Sequence, residues 1–194
     1  MLDCVKALAV ALLVCILPLA AQERRQKTSL PRFEDYPAHD LFQGTPVAPK
    51  IVTPAERLYR TRIREGVQKG WGVVHDGKEG LVGPNFAGHY VIIQWGCGSP
   101  CIRMVVVDAS TGDVFPPPIS DGSHGAPALT LPLLTAGDSA PWPAPVEFHL
   151  NSRLFIAKAT PCLKPLPSPS YTYYFLLERN EWHLLRKVPL EGER

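Results

Sequence analysis

No sign of charge dominates this chain. Its 194 residues carry 20 Lys plus Arg against 18 Asp plus Glu, a formal net charge of +2. A nucleic-acid binder concentrates basic residues on one face, and this balance gives no such footprint, so no nucleic-acid partner is expected. The familiar catalytic signatures are missing. There is no Gly-x-Ser-x-Gly, His-Glu-x-x-His, P-loop or dinucleotide fingerprint. No internal repeat is present, which removes propellers and solenoids. Cysteine is sparse at five residues, and Cys97-x-x-x-Cys101 has one residue too many for a thioredoxin-type pair. Carboxylates of the C-terminal half, such as Asp108, Asp113 and Asp121, sit mostly in turn sequences, so a glycosidase-like pair has no support.

What is present begins with a folded composition: 45% hydrophobic and 20% charged residues. The length fits one domain, and 21 prolines commit much of it to loops. The N-terminus reads as an address. Lys6 is the only charge between Val5 and Ala21, and the apolar stretch Ala7–Ala21 holds 15 residues. A membrane-spanning helix wants about 20 residues, whereas a secretory apolar region wants about 7–15 followed by small residues. Ala20-Ala21 supplies those. Residues 1–21 are therefore expected to be a signal peptide, giving a secreted or periplasmic protein with no membrane span after cleavage. The alternatives are an uncleaved anchor or a lipidated Cys15. Cys15 follows Val14 rather than a small residue.

Cys97, Cys101 and Cys162 remain after cleavage. An oxidising compartment favours a disulfide, and three cysteines allow one internal bridge. Cys97–Cys101, closing over Gly98-Ser99-Pro100, is the expected bridge; Cys162 with either partner is the other pairing. A zinc site from Cys97, Cys101, Cys162 and His89 or His149 matches in ligand count only. No metal or other cofactor is expected.

Residues 22–52 show no sustained period. Gln22–Lys27 reads as a flexible tail, and the remainder, with Phe33, Tyr36, Leu41 and Phe42, as an extended arm lying on the body. A single α+β domain is expected over 53–190. Thr53-Pro54-Ala55-Glu56 predicts a helix start with a capping box and Pro at the first helical position. Ala55, Leu58, Tyr59, Ile63 and Val67 then mark an apolar face at three- and four-residue steps. Arg57, Arg60, Arg62 and Arg64 fall largely on the other face, and glycine ends the helix near 66–70. Five glycines between Gly70 and Pro84 predict a loop.

Gly88–Trp95 and Ile102–Asp108 are rich in Val and Ile with no alternation, which predicts strands covered on both faces. Asp108–Asp113 is turn chemistry leading into Val114-Phe115. Pro116–Pro145 is expected to form a long surface loop. Val146–Leu150 and Arg153–Ala159 predict a hairpin around Asn151-Ser152, and Tyr171–Leu177 and Trp182–Val188 another around Arg179-Asn180. The expected fold is α+β: one N-terminal amphipathic helix packed on a mainly antiparallel sheet, meander or sandwich-like, of about six or seven strands.

The densest unusual stretch is Phe86-Ala87-Gly88-His89-Tyr90 followed by Trp95-Gly96-Cys97-Gly98 and Cys101. With Arg60–Gly66 before it and Asn151-Ser152-Arg153-Leu154 after it, this stretch resembles a group of small secreted bacterial proteins with no assigned activity. The resemblance spans roughly residues 40–188 and departs at a Gly-rich insertion around Trp71–Val82. Ala87-Gly88-His89-Tyr90 is also similar to the Ser-Gly-x-Tyr motif that periplasmic inhibitors of invertebrate-type lysozyme carry on a β-sandwich, with Ala87 in place of Ser.

The expected function is non-catalytic binding of a protein or cell-envelope ligand outside the cytoplasm. The expected contact surface is Phe86, Gly88, His89, Tyr90 and Trp95 with the Cys97–Cys101 turn, and Trp142 as a second anchor. Aromatic side chains on rigid turns contact partners at low entropy cost. The alternatives are a lysozyme-inhibitor-like protein and a hydrolase using His89 or His149.

Overall fold

A computed structural model describes residues 29–69, 82–98, 101–118, 146–159 and 171–190. Met1–Pro31 and Arg32–Arg194 form separate compact units, and the helices and strands belong to the second. The signal-peptide and tail readings, Trp142 and Cys162 lie outside the described residues.

Among the described residues, seven strands form two antiparallel sheets. The first is β1 (Tyr90–Gly98), β2 (Cys101–Asp108) and β3 (Val114–Phe115), in that order. The second is β4 (Val146–Phe148), β5 (Leu154–Ala159), β6 (Tyr171–Glu178) and β7 (Glu181–Pro189). The expected β-rich, antiparallel character is present, but the strands divide between two sheets and do not form one. The reason lies in the faces of β1 and β2. Successive side chains of a strand point to opposite sides. Tyr90, Ile92, Met104 and Val106 point one way and meet Val146, Phe155, Ala157, Phe175 and Leu177 of the second sheet. Val91, Ile93, Trp95, Val105 and Val107 point the other way and meet Ile63 and Val67 of a helix. Both faces of the first sheet are therefore buried, which is why its sequence does not alternate. Each fully buried Val or Ile there contributes roughly 1.5–3 kcal/mol.

The helical segment is two helices, α1 (Pro54–Leu58) and α2 (Arg60–Lys69), where the sequence predicted one. Its start is as expected. Glu56 N donates to Thr53 Oγ1 at 3.2 Å and Thr53 N to Glu56 Oε2 at 3.0 Å. The break falls at Tyr59, whose backbone leaves the helical region at φ −107° and ψ 13°. The Tyr59 hydroxyl accepts a hydrogen bond from Arg103 Nη1, and its ring lies 5.2 Å from that of Trp95. These ties draw Tyr59 onto the sheet and turn Leu58, expected on the apolar face, out to 71% exposure. The helix ends at Lys69, inside the expected 66–70. Gly66 lies within α2 and lets the helix approach the sheet, because a Cβ there would stand 2.5 Å from Ile93 Cγ2.

The arm before α1 is tied to three distant turns. Arg153 N donates to Tyr36 O and Ala38 N to Asn151 O, both at the β4–β5 turn. Phe42 N donates to Gly88 O, and Lys50 N to Gly112 O. Ser152 Oγ donates to Phe33 O and Tyr36 O at 2.8 and 3.0 Å. The Asp108–Asp113 turn forms as its sequence predicts, with Asp108 Oδ1 accepting from Ser110 N and Thr111 N.

Candidate functional site

The starts of β1, β5 and β7 and the ends of β2 and β6 meet at one edge of the sandwich, because antiparallel strands bring those termini together. A cleft of about 930 Å³ opens there. The arm supplies His39 and Asp40 to it, the turn before β1 supplies Ala87 and His89, and β1 and β2 supply Tyr90 and Asp108. Arg153 and the hairpin from Leu177 to His183 form the opposite wall.

Inside the cleft, Tyr90 Oη donates to Asn180 Oδ1 at 2.5 Å, bridging the two sheets. Burial, with the nearby Asp108 charge adding to it, pushes the Tyr90 phenol up to about 12, against a smaller opposing pull from the Asn180 backbone. The His89 ring lies 4.0 Å from that of Tyr90, and its Nε2 lies 3.9 Å from Asp108 Oδ2. Arg153 Nη1 bonds Glu178 Oε1 at 2.6 Å, and Arg153 Nε donates to Pro37 O.

The backbone is strained at this site and nowhere else among the described non-glycine residues. Ala87 (φ 45°), Arg179 (φ 50°) and Asn180 (φ 65°) occupy the left-handed region, and all three line the cleft. Arg179-Asn180 forms the two-residue turn that best matches strand twist, at a cost for Arg179 of roughly 1 kcal/mol. Strain of this kind persists only where surrounding contacts enforce it, and it clusters at functional positions.

The structure separates the residues that the sequence placed on one surface. Tyr90 and Trp95 are five residues apart on a strand and so face opposite sides of the first sheet. Phe86 is fully buried, in ring contact with Phe155 and Trp182, and Trp95 is 5% exposed beneath the helix. Neither offers a contact surface. Gly88 is buried under the arm, where a Cβ would overlap the Asp40 carbonyl oxygen. Of the six, His89 and Tyr90 line the cleft. His149 stacks on Phe33 at 4.0 Å and is not among the residues that line the cleft. The side chains of Cys97 and Cys101 lie outside the described residues, so their bridge is not placed. The backbone register pairs Gly96 with Ile102 and Gly98 with Cys101, leaving Cys97 at an irregularity.

Sequence reasoning missed His39, Asp40, Asp108, Arg153, Glu181 and His183 as site residues. Only the Arg179-Asn180 turn gave any signal. Among the described residues no group of three or more His, Cys, Asp or Glu has the geometry to hold a metal ion, and no helix is long and apolar enough to cross a membrane. No family model, no curated protein and no solved structure matches the chain.

Proposed function

We propose that this is a secreted or periplasmic binding protein without catalysis, and that its site is the cleft containing His89 and Tyr90. One observation carries the reading: the three left-handed non-glycine residues among the described ones all form cleft wall. The apolar N-terminal stretch supports the location, and the resemblance to small secreted proteins agrees with it. A mixed polar wall of carboxylate, guanidinium, imidazole and amide groups suits a small, multiply hydrogen-bonding ligand of the cell envelope. The burial of Ala87 and Gly88 gives an inhibitor-like mode no protruding loop with which to enter an enzyme.

The test is an NMR titration of the ¹⁵N-labelled mature protein with soluble peptidoglycan fragments. Shifts are expected to cluster at residues 87–90 and 178–183. Asn180→Gly keeps a backbone that tolerates positive φ but removes the amide held by Tyr90, and is expected to weaken binding about ten-fold. Shifts confined to another face, or none at all, would refute the reading. The His89–Asp108 approach favours a second reading, a hydrolase in which His89 activates water. It predicts turnover of the same fragments that His89→Ala abolishes.

A further inference from the structure

The positive charge of the chain is concentrated on its helical segment. Residues 54–69 carry four Arg and one Lys against two Glu, a formal +3 in a chain whose total is +2. Neither carboxylate neutralises the arginines. Glu56 is buried and accepts from the backbone N–H groups of Val52 and Thr53, and Glu65 pairs with Lys69. Elsewhere, Arg32, Lys50, Arg153 and Lys158 each pair with a carboxylate. Arg57, Arg60 and Arg64 are exposed, and among the described residues none of the three pairs with one. Backbone carbonyls steady the first two. Arg57 Nη2 donates to Val52 O at 2.9 Å and Arg60 Nη1 to Arg57 O at 3.2 Å. Arg64 lies one turn beyond Arg60 on the same face of α2. Each guanidinium keeps most of its five N–H groups for an incoming phosphate.

Two apolar side chains stand among these cations. The break at Tyr59 turns Leu58 outward, and it is more exposed than any other large apolar residue among the described ones. Val52, whose carbonyl holds Arg57, is 65% exposed. Leu58 shares a shallow groove of about 340 Å³ with Thr61 and Arg62. The opposite face of α2 is committed to the core through Ile63 and Val67, so the segment presents its outer face without leaving the sheet. A soluble polyanion satisfies guanidinium groups but offers no place for an exposed leucine and valine. A bilayer surface offers both, with phosphates at the headgroup level and hydrocarbon just beneath. We infer that this face docks on an anionic phospholipid membrane, Arg57, Arg60 and Arg64 meeting the phosphates while Leu58 and Val52 dip between headgroups. The attachment is peripheral and independent of what the cleft binds. One arginine near an anionic surface raises partitioning about five-fold, so three raise it about a hundred-fold.

The test is co-sedimentation of the mature protein with sucrose-loaded vesicles of phosphatidylcholine, either alone or with about 30% phosphatidylglycerol. Binding is expected to the anionic vesicles only, and to fall steeply in about 0.5 M NaCl. Arg57→Gln, Arg60→Gln and Arg64→Gln together should lower partitioning about a hundred-fold with the fold intact by circular dichroism. Removing as many charges outside the helical segment, by Arg32→Gln, Lys158→Gln and Lys187→Gln, should lower it by less than about three-fold. Leu58→Ser should lower it about ten-fold. Equal losses in the two triple variants would show net charge alone at work and overturn the docking surface. Equal binding to both kinds of vesicle, or to neither, would overturn the inference. An unaffected Leu58→Ser variant would remove the apolar contact, and with it the preference for a bilayer. Retention on heparin at a salt concentration that releases the vesicles would overturn the membrane as occupant and assign the face to a soluble polyanion.

Discussion

Gly88→Ala measures how much the arm matters. Gly88 sits at φ +84°. A Cβ there would overlap the Asp40 carbonyl oxygen, lie 2.9 Å from its carbon and lie 3.4 Å from Ala38 Cβ. Both neighbours are arm backbone or arm side chain next to it, and neither can rotate away. Left-handed backbone costs an alanine roughly 1–2 kcal/mol. Moving the arm also breaks the 2.8 Å bond from Phe42 N to Gly88 O, worth about 1 kcal/mol. The total is about 2–3 kcal/mol, which for a unit of this size lowers Tm by about 5–10 °C. Gly83→Ala is the control, because Gly83 has φ +107° but no heavy atom within 4 Å of the built Cβ; it should cost only the backbone strain. Thermal unfolding gives the difference, and limited chymotrypsin digestion at Leu41-Phe42 reports whether the arm has lifted. Equal loss of stability in the two variants, with no faster cleavage in the first, would refute the reasoning.

Three other predictions follow from the packing and the site. Gly66→Ala gains helix propensity of about 1 kcal/mol but forces a Cβ against Ile93, so a net loss of about 1–2 kcal/mol is expected; adding Ile93→Ala should recover part of the cost of Gly66→Ala in a double-mutant cycle. Tyr90, raised to about 12 from an ordinary 10.0, holds its proton in the folded state through the range where the unfolded chain loses it. Its contribution to stability is therefore complete below pH 10 and lost as pH rises from about 10 to about 12; Tyr90→Phe should remove that slope from urea midpoints and the late step from the phenolate absorbance titration. Intact mass after thiol labelling of the mature protein should show removal of residues 1–21 and one free thiol at Cys162. Three free thiols would eliminate the Cys97–Cys101 bridge.

Local chemistry was legible in the sequence wherever neighbours decide the outcome. The Thr53/Glu56 capping box, the Asp108–Asp113 turn and the Arg179-Asn180 hairpin all form where their residue types predict. So do the strands, within a few residues at each end. The break at Tyr59 was not legible, because its anchor is Arg103, forty-four positions along the chain. The contact surface was misjudged for a different reason. A run of aromatic and glycine residues reads alike whether it faces solvent or fills a sandwich, and Phe86 and Trp95 fill opposite sides of one sheet. The cleft draws its wall from the arm, four strands and three turns, so no spacing in the sequence connects His39 with Asp108 or His183.

The arm has a further consequence, for the order in which the chain folds. Its bonds to Ser152 and Arg153 span 116 to 119 positions. The donors, Ser152 and Arg153, lie in the turn between β4 and β5, and the acceptors lie in the arm, so that turn must be in place before the arm can dock on it. Contacts with such long closure paths are late events in folding. Substitutions in 36–42 should therefore speed unfolding while leaving the refolding rate nearly unchanged, the signature of interactions absent from the transition state. His39 and Asp40 travel with that segment, so the cleft acquires its last wall in the final step to the native state.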